Sequence, residues 1–271
     1  MTLFKIEWRN QQKALMIWLS TFLGLLLVFS AIYPQMFTPV LKQSMEKMMA
    51  SLPDSLLGTF NIALSGPASM MTPVGYFAYY FQYLYLAACI YAMLLGTQGL
   101  IREESDGTID FLYAQPITRW QIVLGKFLVA LIQLAFFWFV NAFATTAFLW
   151  FFKEKNDATS EILHGVRVIY YGEFFSLFFF LCLGLFFSTF LKNVKQSTGI
   201  TLSVVFGFYL MGILANLFDK LHFLREISPL SQGIPANLLV DGLPNQWWIL
   251  LVSLLLLGLS FFFYQRKDFR N

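Results

Sequence analysis

Six long apolar runs alternate with short polar stretches along the chain: Ala14–Tyr33, Gly75–Ile101, Phe127–Phe152, Phe174–Leu191, Thr198–Phe218 and Trp247–Tyr264. A hydrocarbon core roughly 30 Å thick needs about 20 apolar residues in helix, and each run meets or approaches that length. The pattern predicts an all-α integral membrane protein. It is a single transmembrane domain over 1–271, with spans at about 14–33, 75–101, 122–152, 174–191, 198–218 and 247–264.

Three shorter segments carry patterns of their own. Residues 2–13 alternate Leu3, Ile6 and Trp8 with Lys5, Arg9 and Lys13, which predicts an amphipathic helix lying in a membrane interface. Val40–Leu52 places Val40, Leu41, Met45, Met48, Met49 and Leu52 at helical spacing, the apolar face of a second interfacial helix. Residues 228–240 are apolar but too short to cross, and two prolines and a glycine interrupt them. A re-entrant or interfacial element is expected there.

The segment Arg102 to Lys126 stands apart. It is polar and charged, yet residues 75–101 before it and 127–152 after it hold no charged side chain. Asp106 can cap a short helix beginning at Gly107, with Ile109, Leu112 and Tyr113 on one face. Gln115-Pro116 ends that helix, because the residue before proline is pushed out of the α region. Thr118 then restarts the chain, and Gln121 three residues later completes a capping box. The expected form is a short helix lying across the membrane surface, offered to a partner.

Charge orients the spans. With both termini on the cytoplasmic side, segments 1–13, 102–126, 192–197 and 265–271 hold 11 Lys and Arg in 51 residues, against 7 in the 90 residues of the opposite loops. That is the positive-inside asymmetry, so the net charge of +3 is a topology signal before it is a nucleic-acid surface. Only 12% of residues are charged, too few to wrap a soluble globule of this length. The first apolar run lacks a small-x-small cleavage site and reads as an uncleaved span. Cys89 and Cys182 fall inside spans and imply no disulfide framework.

Candidate chemistry is sparse. No phosphate-cradling loop is present, since Gly125-Lys126 is followed by Phe127 and no glycine precedes it at the required spacing. His164 and His222 fall in different outer loops, without Cys or His at metal-ligand spacing. The six apolar runs hold no Asp, Glu, Lys, Arg or His; Glu173 stands at the rim of the fourth. Gln133, Asn141 and Thr145 share a face of the third span. They form either interhelical hydrogen bonds or a polar stripe on a substrate path. Small residues recur four apart at Ala88, Ala92 and Gly96, and again at Gly199, Ser203 and Gly207. Both rows predict close helix contact, within the chain or with a second copy.

The order Glu104, Gly107-Thr108, Leu112, Pro116-Ile117-Thr118-Arg119, Ile122 and Gly125-Lys126 resembles the loop between spans two and three of type-2 ATP-binding-cassette (ABC) permeases. In that family the loop holds the coupling helix that docks on the ATPase. The resemblance extends over nearly the whole chain. Residues 2–13 resemble the elbow helix, 192–197 a smaller cytoplasmic contact, and Ser228-Pro229 the re-entrant element between spans five and six. The large outer segment 34–74 resembles the bacterial exporter subgroup for peptides and antibiotics.

The resemblance implies a permease in a bacterial cytoplasmic membrane, paired with a second, identical permease and two cytoplasmic ATPase subunits. ATP and Mg would bind those partners, and this chain would bind no cofactor or metal. Glu104, Gly107, Thr108, Ile109, Asp110, Leu112, Tyr113, Pro116, Thr118 and Arg119 would couple to the ATPase. Ile109, Leu112 and Tyr113 would supply apolar docking area, and Glu104, Asp110 and Arg119 would orient the hairpin through charge pairs. Two alternatives stay open at this level: a membrane-embedded lipid-modifying enzyme, and a structural or regulatory membrane subunit.

Overall fold

The computed structural model describes the chain except residues 1, 37–38, 54–56, 59–60, 64, 106, 108–117, 156, 222, 244–245 and 268–271. Among the described residues the fold is all-helical. In chain order the helices are α1 (Thr2–Met36), α2 (Pro39–Ala50), α3 (Pro73–Gly99), the one-turn α4 (Arg102–Ser105), α5 (Arg119–Phe152), α6 (Thr159–Ser188), α7 (Val194–Leu217), α8 (Phe223–Ile227), α9 (Pro229–Gln232), α10 (Pro235–Asp241) and α11 (Trp247–Arg266). Six of them, α1, α3, α5, α6, α7 and α11, are long and apolar enough to cross a membrane.

Their starts follow local rules. Thr72 caps α3 by accepting the Gly75 amide, with Pro73 at the first helical position, where its missing N–H costs nothing. Asn193 accepts the Gln196 amide to open α7, and Ser228 accepts the Ser231 amide to open α9. Residues 2–36 form one continuous helix, so the N-terminal amphipathic stretch is the first three turns of the first span, with no break between them.

Two expectations change. The fourth span does not begin at Phe174. Helix α6 starts at Thr159, which puts Glu173 in its middle and His164 on the helix instead of in a loop. The physical reason is amphipathicity: Ile162, Val166, Ile169 and Tyr170 bury one face, while Glu161 and Arg167 point outward. A window of uniform hydropathy stops at those charges; the helix does not.

Helices α3 and α6 form the centre and run parallel, since Gly165 meets Val74 near their starts and Gly184 meets Gly96 near their ends. At the second crossing the backbones touch. A Cβ on Gly96 would collide with the Leu181 carbonyl, and one on Gly184 with the Met93 carbonyl. The row Ala88, Ala92 and Gly96, all buried, is therefore a contact within the chain. Helix α1 packs on α5, α11 on α6, and α7 on α3. The short α9 and α10 pack against α6, α7 and α3. An aromatic core fills the interior, with Phe77, Phe81, Trp138 and Tyr170 in mutual ring contact.

At one end of the bundle the start of α1, the α3–α5 hairpin, the α6–α7 turn and the end of α11 gather. Thr97 hydrogen-bonds to Ser197 at 2.7 Å, and Ser188 Oγ accepts from the Leu100 amide at 3.0 Å. We refer to this as the hairpin end.

Candidate functional site

The base of the hairpin is built by polar contacts from several elements. Thr118 and Gln121 form the reciprocal box that opens α5: the Thr118 hydroxyl accepts the Gln121 amide, and the Gln121 side chain accepts the Thr118 amide at 3.0 Å. On the other strand of the hairpin, Gly107 turns the chain with φ +68°, a conformation that penalises a Cβ. Thr108, Ile109, Asp110, Leu112, Tyr113 and Pro116 lie outside the described residues, as does Asp106.

Glu104 and Arg119 are engaged with the chain's own last helix. Arg119 Nη1 donates to the Gln265 and Lys267 carbonyls, both at 2.9 Å, where α11 leaves its final carbonyls without helical partners. Lys267 in turn pairs with Glu104 at 2.6 Å and donates to the Leu191 carbonyl at 3.2 Å. Trp120 packs against Phe261 with ring centroids 4.0 Å apart. Both feet of the hairpin are thus tied to the C-terminal end of α11. The Lys267–Glu104 pair is partly exposed and worth about 0–1 kcal/mol, so the Arg119 bonds and the Trp120 contact carry more of the bracing.

A second contact at this end escapes sequence reading. Lys126, two turns into α5, pairs with Glu7 of α1 at 2.7 Å, and both side chains are almost fully buried. The pair fixes the first turns of α1 beneath the hairpin. Its sequence signal was slight: a single acid in a basic segment and a single cation facing an uncharged run.

Farther along, a buried polar column crosses the bundle. Gln133, Asn141 and Thr145 are all fully buried on the inner face of α5. Thr145 meets the Tyr170 hydroxyl at 2.7 Å, and Asn141 Nδ2 donates to the Phe137 carbonyl of its own helix at 2.8 Å. Among the described residues, Asn141 Oδ1 and both amide atoms of Gln133 have no hydrogen-bond partner. The same holds for both carboxyl oxygens of Glu173, which is also fully buried.

Helices α5 and α6 run antiparallel here, since the Trp138 indole donates to the Tyr170 carbonyl at 2.8 Å and Phe127 meets Phe178 with ring centroids 6.3 Å apart. Counting from that bond at about 1.5 Å per residue, Gln133 and Glu173 stand within about 3 Å of the same level. Glu173 lies within electrostatic reach of Tyr85, Cys89 and Tyr170. The α9–α10 pair reaches the same layer: Tyr85 donates to the Leu230 carbonyl at 3.4 Å and Ser176 to the Pro229 carbonyl at 2.7 Å.

The second small-residue row behaves unlike the first. Gly199, Ser203 and Gly207 are exposed along α7, and a Cβ at either glycine would meet open space. The face of α7 that packs inward is Ser197, Thr201 and Val205. At the end opposite the hairpin, a groove of about 990 Å³ runs between α5 and α6, walled by Phe139, Phe143, Tyr171 and Phe174 and reaching Trp138 and Tyr170. No cluster of His, Cys, Asp or Glu fit to hold a metal ion occurs among the described residues.

The chain was compared with known proteins. The sequence model of the family described as ABC-2 family transporter protein matches residues 1–269. A search of curated proteins gives no match. Six membrane-length helices, a polar hairpin braced at one end of the bundle and a family match over the whole chain agree. The chain belongs to the ABC-2 transporter family, the multi-pass membrane permease subunits that associate with an ABC ATPase and normally carry no catalytic site of their own.

Proposed function

We propose that the chain is the permease of an ABC exporter that moves an amphipathic or hydrophobic substrate, such as a peptide, a peptide antibiotic or a drug, across a bacterial cytoplasmic membrane. Both termini and the hairpin face the cytoplasm, two identical permeases pair, and each engages one ATPase subunit, which binds ATP and Mg. The segment Gly107–Ala114 docks on the ATPase and carries its closure to the bundle.

The observation that carries this reading is the brace at the hairpin base. A docking loop transmits force only if its feet are anchored. Here Thr118 caps α5, Arg119 holds the end of α11, and Glu104 joins both through Lys267. A push on the hairpin is thereby delivered to α3, α5 and α11 together. The exposed row Gly199, Ser203 and Gly207 supports a second copy packed against α7, and the aromatic groove between α5 and α6 supports an apolar substrate. Purification of the tagged permease in mild detergent should bring down an ABC ATPase whose hydrolysis responds to the permease. A monodisperse permease that retains no ATPase would reject the proposal.

A further inference from the structure

We propose that Glu173 and the aromatic layer around it form a binding site for an organic cation, an alkylammonium or phosphonium group carried by an amphipathic substrate. The inference rests on the permease reading and narrows its substrate class.

An ionisable side chain within a membrane span is costly and by default marks a functional site. This fold shows how it treats a buried carboxylate kept for structure: Glu7 is paired with Lys126 at 2.7 Å. Glu173 has no such treatment. Neither of its oxygens meets a donor from a described residue, and the groups within its electrostatic reach are two phenols and a thiol. Gln133, at the same level of the facing helix, is also left with both amide atoms unpartnered. Two fully buried polar side chains on opposed helices, both unsatisfied, make a site that a ligand completes.

The surroundings select the ligand. A metal ion would need several further oxygen, nitrogen or sulfur ligands, and no acid, histidine or cysteine cluster of that kind stands among the described residues. A neutral apolar molecule would leave the Glu173 carboxyl without a partner, as it stands now. Aromatic rings favour a diffuse cation, and Tyr170 is packed by Trp138, Phe81 and Phe77 at centroid distances of 4.7, 5.1 and 6.3 Å. Tyr170 and Trp138 also line the apolar groove between α5 and α6, so one aromatic layer borders both the groove and the carboxylate. An amphiphile would keep its apolar part in the groove and pass its cationic head across Tyr170 to Glu173.

Tetraphenylphosphonium is the probe, and triphenylphosphine oxide is its neutral counterpart. Binding is measured on the full-length permease in lipid discs of phosphatidylglycerol, which carries no ammonium headgroup. The parent protein should bind the cation saturably and the neutral compound at least tenfold more weakly. Glu173→Gln, with unchanged elution and melting, should lose at least tenfold in affinity for the cation. Equal binding of the two compounds by the parent protein, or parent-like cation binding by Glu173→Gln, overturns the proposal. The comparison of compounds needs no variant, so it decides the matter if Glu173→Gln misfolds. Repeating the titration in phosphatidylcholine discs separates two sources of the cation. An unchanged affinity points to a soluble amphiphile, and a weaker one to competition by the choline headgroup. No ATPase is present in these assays. Loss of the exporter reading would show in co-purification, and loss of the cation site only in binding.

Discussion

At the scale of single residues, the two buried carboxylates behave in opposite ways. Glu7 is satisfied by Lys126, and removing one partner strands the other charge in the bundle. Lys126→Ala should therefore destabilise the protein by roughly 3–5 kcal/mol, while the double variant Glu7→Leu, Lys126→Met should cost much less. Denaturation of the purified protein in detergent measures both, and equal losses would mean that the pair is solvated. Sequence reading missed this pair because its members are far apart in the chain, and no local rule links them. It also missed the depth of Glu173. The charges at Glu161 and Arg167 cut the hydropathy run short, although Ile162, Val166 and Ile169 kept the helical period that carries α6 out to Thr159.

At the scale of elements, contacts governed by local geometry were legible. The Thr118–Gln121 box depends on residues three apart, and the Ala88, Ala92 and Gly96 row on a four-residue repeat; both stand where expected. What the sequence left open was which helix each row meets. Gly96 turned out to face Gly184 of α6, with backbone against backbone. Gly184→Val should push α3 and α6 apart and sharply reduce the yield of monodisperse protein; a normal yield would contradict that crossing. The hairpin feet give a milder case. Arg119→Ala removes two bonds to the last carbonyls of α11 but leaves the Thr118 cap. Folding should survive, with substrate-stimulated hydrolysis reduced several-fold while the ATPase stays bound. Undiminished hydrolysis would show that the brace transmits nothing.

At the scale of the whole molecule, the account requires a sidedness and a partner copy. In a background lacking Cys89 and Cys182, a cysteine placed at Asp157 should react with an impermeant reagent from outside, and one at Ser105 should not. The opposite pattern would invert the bundle and remove the hairpin from any cytoplasmic ATPase. Gly207→Leu adds bulk where the single chain has open space, so the isolated subunit should fold normally. If α7 is the dimer face, cross-linking should show fewer paired permeases; full pairing would place the contact elsewhere.

The most direct test of the central claim is one substitution on the hairpin. Leu112→Asp sets a charge on the proposed docking face, where burial without a partner costs several kcal/mol, and leaves every span untouched. Membrane levels should match the parent, while the ATPase no longer co-purifies or its hydrolysis no longer responds to substrate. If Leu112→Asp retains its ATPase and transports like the parent, Gly107–Ala114 is not the element through which ATP hydrolysis drives this permease.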